Sequence, residues 1–267
     1  MPTNNISNDA APSPVALVGV GEMGGVFAKA LLRAGRPVHP VLRSSSLDIA
    51  AAHLPEPELA LVTVGENDLA PVLADLPRTW KDRAGLIQNE LLPRDWLAAE
   101  ITDPTVAVVW FEKKPGQDVK VIIPTPVGGP SASLLVDALA GVGIPARTVG
   151  SEQLEWELVR KNLYILTANI AGLVSGGAVM HLWEKHRDLA ERVAGEVLDI
   201  QEWLVGRPLD RRELVAAMVE AFAADPDHGA TGRSAPSRLS RAIEHAATAG
   251  LDVPALLAIQ QDSTSAI

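Results

Sequence analysis

Val15-Ala16-Leu17-Val18-Gly19-Val20-Gly21-Glu22-Met23-Gly24-Gly25 runs from an apolar stretch into a glycine-rich turn, and Val26–Ala34 continues it with a helical pattern. This is G-x-G-x-x-G in strand–turn–helix context. Gly19 makes the tight turn, Gly21 lets a pyrophosphate approach the backbone, and Gly24 lets helix and strand pack closely. The helix N-terminus adds free amides and a partial positive charge. The spacing predicts a dinucleotide site. A glycine-rich turn that binds nothing, or a methyltransferase turn for another nucleotide, shares the short motif.

Working outward, the second apolar run ends in Val41-Leu42-Arg43-Ser44-Ser45-Ser46. An NAD site places a carboxylate there for the ribose hydroxyls. The first carboxylate here is Asp48, assigned to the next helix, whereas Arg43 and Ser44 offer a planar cation and a hydroxyl suited to a 2′-phosphate. NADP(H) is therefore the expected cofactor. The third run ends at Val64-Gly65 and the fourth at Gln88-Asn89, both at carboxyl ends where such sheets gather ligands. The candidate cofactor set is Gly19, Gly21, Glu22, Met23, Gly24, Arg43, Ser44, Val64, Gly65 and Asn89. An Asx turn is the structural alternative for Asn89.

Strand-length apolar runs recur at Val15–Val20, Val38–Leu42, Leu59–Val64, Ala84–Ile87, Val106–Phe111 and Val119–Ile123, with helical stretches between them. The expected class is α/β, a Rossmann-type doubly wound sheet over 15–150. Strand signals then cease. Helical stretches at Ser151–Val174, His186–Val205, Arg211–Ala223, Ser234–Ala249 and Pro254–Gln260 predict an all-α domain over 151–260. Residues 1–14 read as a mobile arm without the basic start and apolar core of a signal peptide, and 261–267 as a tail. Asn162–Trp183 lacks Asp, Glu, Lys and Arg, but its Asn, Thr, His and Gly residues favour a buried core helix over a membrane span.

The 267 residues carry 23 Lys+Arg against 33 Asp+Glu, a net charge of −10 shared by both halves. That balance argues against a dedicated nucleic-acid binder. The absence of cysteine rules out disulfides, thiolate metal sites and a cysteine nucleophile. A cytoplasmic protein with a small-molecule partner is expected.

The helical half opens with Trp156-Glu157-Leu158-Val159-Arg160-Lys161-Asn162, and Asn169 follows Lys161 by eight residues. That is two turns plus roughly 80°, so both side chains reach one side of the helix about 12 Å apart. A lysine at an apolar helix edge loses solvation, its pKa falls, and it becomes a proton donor near neutral pH. A snorkelling lysine and a satisfied core amide are the plainer readings of the two. His181 and His186, five apart, lack metal spacing, so no metal is expected. No G-x-S-x-G elbow supports serine hydrolysis.

These segments together resemble the ketopantoate reductases (2-dehydropantoate 2-reductases) over nearly the whole chain. The resemblance rests on VALVGVGEMGGVFAKALLRAGRPVHPVLR, LALVTVGEND, QNE, WELVRKNLYILTANIAG and SRLSRAIEHAATAGLDVP. It implies a Rossmann domain, a helical domain like that of 6-phosphogluconate dehydrogenase, and an active site in the cleft between them. It implies Met23 and Arg43 as NADPH contacts, Lys161 as general acid and Asn169 as a substrate-binding catalytic residue. Tyr164, Trp110, Arg233 and Ser234 join as pocket candidates, and a homodimer is the candidate assembly. Three family polar positions differ: Gly65 replaces a lysine, Ile165 an asparagine and Ser234 a glutamate. The implied function is NADPH-dependent reduction of a small oxo acid, ketone or imine other than ketopantoate. A non-catalytic NADP(H)-binding protein on the same scaffold is the alternative.

Overall fold

The structure, a computed structural model, describes residues 12–265. The chain runs β1 (Val15–Val18), α1 (Glu22–Arg33), β2 (Val38–Val41), α2 (Leu47–His53) and β3 (Ala60–Val62). α3 (Glu66–Ala74), the single turn α4 (Arg78–Lys81), β4 (Ala84–Leu86), α5 (Pro93–Leu97) and β5 (Thr105–Ala107) follow. A hairpin of β6 (Phe111–Glu112) and β7 (Lys120–Val121) precedes β8 (Thr125–Gly128), α6 (Ala132–Ala140) and β9 (Ala146–Thr148). Everything regular beyond is helical: α7 (Ser151–Ser175), α8 (Val179–Lys185), α9 (Arg187–Val205), α10 (Arg211–Ala224), α11 (Ala235–Ala249) and α12 (Pro254–Ser265).

The main sheet has the order β2-β1-β3-β4-β5-β8-β9. The strands β2, β1, β3, β4 and β5 are parallel, and β8 joins β5 antiparallel. The chain leaves β1 toward β2 and returns on its other side to β3, so the topological switch point lies at the carboxyl ends of β1 and β3. The strands at the centre are buried on both faces, which is why they read as continuous apolar runs.

Two sequence expectations are corrected in this half. Val106–Phe111 is not one strand: β5 ends at Ala107, Val108 N makes one further bond to β8, and Trp110 N–H turns to donate to Thr125 Oγ1 at 3.1 Å. Val119–Ile123 does not enter the main sheet but forms the hairpin with β6. β8 and β9 took those places unforeseen. β8 carries Pro126, which signals against a strand, and β9 is three residues long and largely exposed.

In the helical half, α7 is 25 residues long and buried nearly all round, because α8, α9, α10, α11 and α12 pack about it. It ends at Gly176 and Gly177, whose φ values of 58° and 71° leave the right-handed region. Asn162–Trp183 therefore spans the end of α7, at Ser175 against the expected Val174, and most of α8, which the sequence reading did not assign. α12 continues to Ser265, past the expected end at Gln260. The expected arm falls mostly on residues 1–11, outside the described residues, as do 266–267 of the tail. No helix among the described residues is long and apolar enough to cross a membrane.

A single apolar cluster joins one face of the sheet (Val18, Val62, Leu86) to α7 (Leu158, Leu163) and onward through α9 and α10. Sheet and helices thus share a core, which fixes the cleft between them.

Candidate functional site

Two adjoining clefts follow the carboxyl ends of the strands, and they share Gly21, Thr63, Val64 and Gly65. The outer cleft, about 880 Å³, is lined by the Gly19–Gly21 turn, the end of β2 and the start of α3. The inner cleft, about 670 Å³, passes between the sheet and α7.

The turn is built for close approach. Gly19 has φ 90°, and a Cβ on Gly24 would stand 2.4 Å from Gly19 O and 2.8 Å from Thr63 Oγ1. Thr63 Oγ1 donates to Gly19 O at 2.5 Å and ties the turn to β3. A Cβ on Gly21 would meet nothing within 4 Å, because that side opens to the clefts. Gly21 and Gly65 cap α1 and α3 without any side-chain hydrogen bond to the first-turn amides. Two helix N-termini therefore offer amides to the same groove, which fits the pyrophosphate of a dinucleotide.

Arg43 lines the outer cleft with its side chain 87% exposed, ion-paired to Asp68 of α3. Ser45 and Ser46 line it as well, whereas Ser44 does not. Ser46 Oγ accepts from Ile49 N as the cap of α2, and Asp48 lies in that helix as expected. Glu22 and Met23 line the inner cleft, with Glu22 3.4 Å from Lys113 Nζ of the hairpin loop. Asn89 also lines it, and its Nδ2 donates to Glu66 Oε1 at 2.9 Å.

On the opposite wall, Lys161 is 8% exposed. Among the described residues it has neither a hydrogen-bond acceptor nor an ion-pair partner. Its Nζ instead sits 4.3 Å from the Trp110 ring centroid and 5.5 Å from that of Tyr164. Such contacts contribute about 2 kcal/mol when desolvated, well short of the cost of burying an unpaired ammonium. Burial, and secondarily the Arg238 charge, push the Lys161 pKa down to about 7. Trp110 is fully buried and does not line the cleft, so the expectation that it touches substrate is corrected: it is the floor under Lys161.

Tyr164, Ile165, Ala168, Asn169, Arg233 and Ser234 line the inner cleft. The Tyr164 hydroxyl is buried without a hydrogen-bond partner, and burial raises its pKa. His228 faces the same cleft with Nδ1 3.3 Å from Asp225 Oδ2, though not aligned for a hydrogen bond, and burial lowers its pKa. The loop carrying His228 to Ser234 is held against α7 because Gly172 has no side chain. A Cβ there would meet Ala230 C at 2.7 Å.

Asn169 does not present a free amide. Its Nδ2 donates to Ala230 O at 3.2 Å, and its Oδ1 accepts from Arg238 Nη1 at 2.5 Å. Arg238, one turn after Ser234 on α11, escaped the sequence reading. Its Nε donates to Glu90 Oε1 at 3.0 Å and its Nη2 to Glu66 Oε1 at 2.6 Å. Arg241 Nη2 also donates to Glu90 Oε1, at 2.6 Å. Two arginines at i and i+3 on α11 were the available signal; their carboxylate partners lie 148 to 172 positions away. Among the described residues no cluster of His, Cys, Asp or Glu forms a metal site.

No protein-family model and no curated protein sequence matches the chain. Solved structures do. A ketopantoate reductase from Ralstonia eutropha JMP134 superposes with TM-score 0.66 at 15% identity, over 94% of this chain and 96% of that one. A probable 2-dehydropantoate 2-reductase from Bacillus subtilis gives 0.68 at 14%, over 94% and 99%. D-Mandelate dehydrogenase, solved with NADH, gives 0.68 at 14%, over 94% and 98%. The chain thus has the fold of the ketopantoate reductases and D-mandelate dehydrogenase, along nearly its whole length.

Proposed function

We propose that this protein is an NADPH-dependent oxidoreductase acting on a small oxo acid, ketone or imine. The observation that carries the reading is Lys161, a buried lysine without a carboxylate partner, in a cleft continuous with the Gly19–Gly24 turn. The turn amides, with Arg43 at the end of β2, are the groups for the cofactor's pyrophosphate and ribose phosphate. Met23, Val64, Gly65 and Asn89 border its course into the inner cleft. When bound, NADPH supplies hydride.

The chain's own residues do the rest. Lys161, in its ammonium form, donates a proton to the substrate oxygen or nitrogen on which negative charge develops. The Trp110 floor and Tyr164 keep water from that ammonium and hold it in place. Asn169 retains one N–H beyond its bond to Ala230 and orients the substrate. Ile165 and Ala168 supply an apolar wall. With Gly65, Ile165 and Ser234 at the three altered positions, ketopantoate is not the substrate we assign. Lost hydrogen-bond partners cost a large factor in specificity.

A non-catalytic NADP(H)-binding protein is the second reading. It draws on one observation: Asn169 and Arg238 already satisfy each other and their neighbours. Titration with NADPH and NADH, followed by NADPH absorbance against oxo acids, ketones and imines, separates the two. Turnover on any of them supports the reductase. Tight NADPH binding with no turnover supports the second reading, and binding of neither nucleotide overturns both.

A further inference from the structure

Lys161 differs from the other lysines of the chain in what surrounds its nitrogen. Lys81 donates to Ala99 O at 2.8 Å, and Lys113, Lys114 and Lys120 are ion-paired to Glu22, Glu112 and Asp225. Lys29 and Lys185 are exposed, so water solvates their charge. Lys161 is buried over aromatic rings, without an acceptor among the described residues, yet it lines a cleft of about 670 Å³. An ammonium has three N–H groups to satisfy, and the Trp110 and Tyr164 rings do not accept as oxygen does. The Arg238 guanidinium adds a like charge nearby. Desolvation beside a second cation leaves a lysine amine neutral, and the neutral amine carries the lone pair that the ammonium lacks.

A second group beside it suits the same chemistry. An amine that adds to a carbonyl gives a carbinolamine, which loses water readily only when its oxygen gains a proton. Tyr164, three residues after Lys161 on α7, is 2% exposed, and burial raises its pKa, so it keeps its O–H. That hydroxyl has no hydrogen-bond partner among the described residues, and the centroid of its ring lies 5.5 Å from Lys161 Nζ. Nucleophile and proton donor therefore line the same wall of the cleft.

We propose that Lys161 is a covalent modification site for small aldehydes and unhindered ketones, its amine adding to the carbonyl carbon to form an imine. The nitrogen lone pair forms the C–N bond while the C=O π pair moves to oxygen. That oxygen then leaves as water with the two amine protons, Tyr164 lending its O–H to the departing oxygen and recovering a proton from nitrogen. Nothing is oxidised or reduced, and no co-reactant is needed. The reaction does not rest on the reductase reading. The ammonium form of Lys161 is the proton donor of that reading, and the amine form is the nucleophile here.

The test gives the purified protein a limiting dose of propionaldehyde with sodium cyanoborohydride, which reduces the imine to a stable secondary amine, and maps the label by peptide mass. The α-amino group, with an ordinary pKa of about 8, is the reference for an exposed amine. Near neutral pH, Lys161 is expected to label on the order of 10-fold faster than any other lysine. Its rate levels off above about pH 7 while the rates of the exposed lysines keep rising, because its proton is already gone. Unfolding in urea abolishes the preference. Tyr164→Phe is expected to slow the labelling several-fold and to keep the plateau, and Lys161→Arg removes that label alone. Labelling spread evenly over the lysines, or slowest at Lys161, overturns the proposal. So does a Lys161 rate that climbs with pH as those of the exposed lysines do. Labelling of Tyr164→Phe at the wild-type rate takes the tyrosine out of the step. The wild-type map decides the lysine's part even where a variant fails to fold. No turnover is read, so the reductase reading survives either result.

Discussion

On the sheet side of the cleft a ligand meets backbone: the Gly19–Gly24 turn and the uncapped starts of α1 and α3. On the helical side it meets side chains brought from α7, α11 and the strand ends, with Arg238 and Glu66 172 positions apart in the chain. The first wall is made of neighbours in sequence and depends on the absence of side chains. The second depends on the charges of Lys161, Arg238, Glu66 and Glu90 being placed against each other by the fold. A backbone wall tolerates changes in its surroundings but not a methyl group. A side-chain wall tolerates packing changes but not the loss of a single charge.

Removing the buried charge of Lys161 is the strongest way to break that comparison. Lys161→Ala is expected to lower turnover by about 10²- to 10⁴-fold while NADPH affinity, measured by fluorescence titration, stays within a few-fold. With the wild type, kcat/KM for reduction falls as pH rises through about 7, where the donor loses its proton. Equal loss of NADPH affinity and turnover in the alanine variant would merge the two walls into one binding surface.

The same lysine leaves a mark on stability. Its pKa falls from 10.5 unfolded to about 7 folded, so below pH 7 both states hold the proton and the burial penalty is complete. Between pH 7 and 10.5 the unfolded chain binds more protons, and stability rises with pH. Lys161→Met should therefore stabilise the fold by a few kcal/mol at pH 6, with the gain shrinking toward pH 10. Thermal melts across that range check it. A pH-independent gain would mean the side chain reaches water.

On the backbone wall, Gly24→Ala puts a methyl 2.4 Å from Gly19 O, against backbone that has no free rotation to yield. Overpacking of this kind costs about 1–3 kcal/mol. A lowered melting temperature with weakened NADPH binding is expected, whereas Gly21→Ala, with nothing within 4 Å, should keep the stability and lose mainly the nucleotide.

The same contrast explains what the sequence disclosed. The turn, Arg43 and the lysine helix were legible because each is a local pattern: glycine spacing, a strand end, a charge beside an apolar run. The end of α7 before Gly176-Gly177 was legible as well, whereas α8, only seven residues long, was not assigned. The strand β8 was hidden by Pro126, which sits where the sheet needs its carbonyl rather than its N–H: Val108 N donates to Pro126 O at 2.8 Å. The Arg238 cluster had no local signature, since a buried guanidinium is defined by partners that folding alone assembles. Asn169 was found for its position, yet its amide turned out to be bonded on both sides.

The smallest expected effect concerns the pair at the outer cleft. Arg43 is 87% exposed and Asp68 47%, so their ion pair is screened and contributes little to stability. It matters because a 2′-phosphate would compete with Asp68 for the guanidinium. Arg43→Ala is expected to weaken NADPH by about 10-fold and leave NADH unchanged, since only the former carries the phosphate. Asp68→Asn removes the competitor without removing the cation, so it should tighten NADPH a few-fold, with the gain fading at high salt. Nucleotide titrations at two ionic strengths read both. If Asp68→Asn instead weakened NADH and spared NADPH, Asp68 would be the ribose acceptor that the second strand lacks, and the outer cleft would belong to NAD.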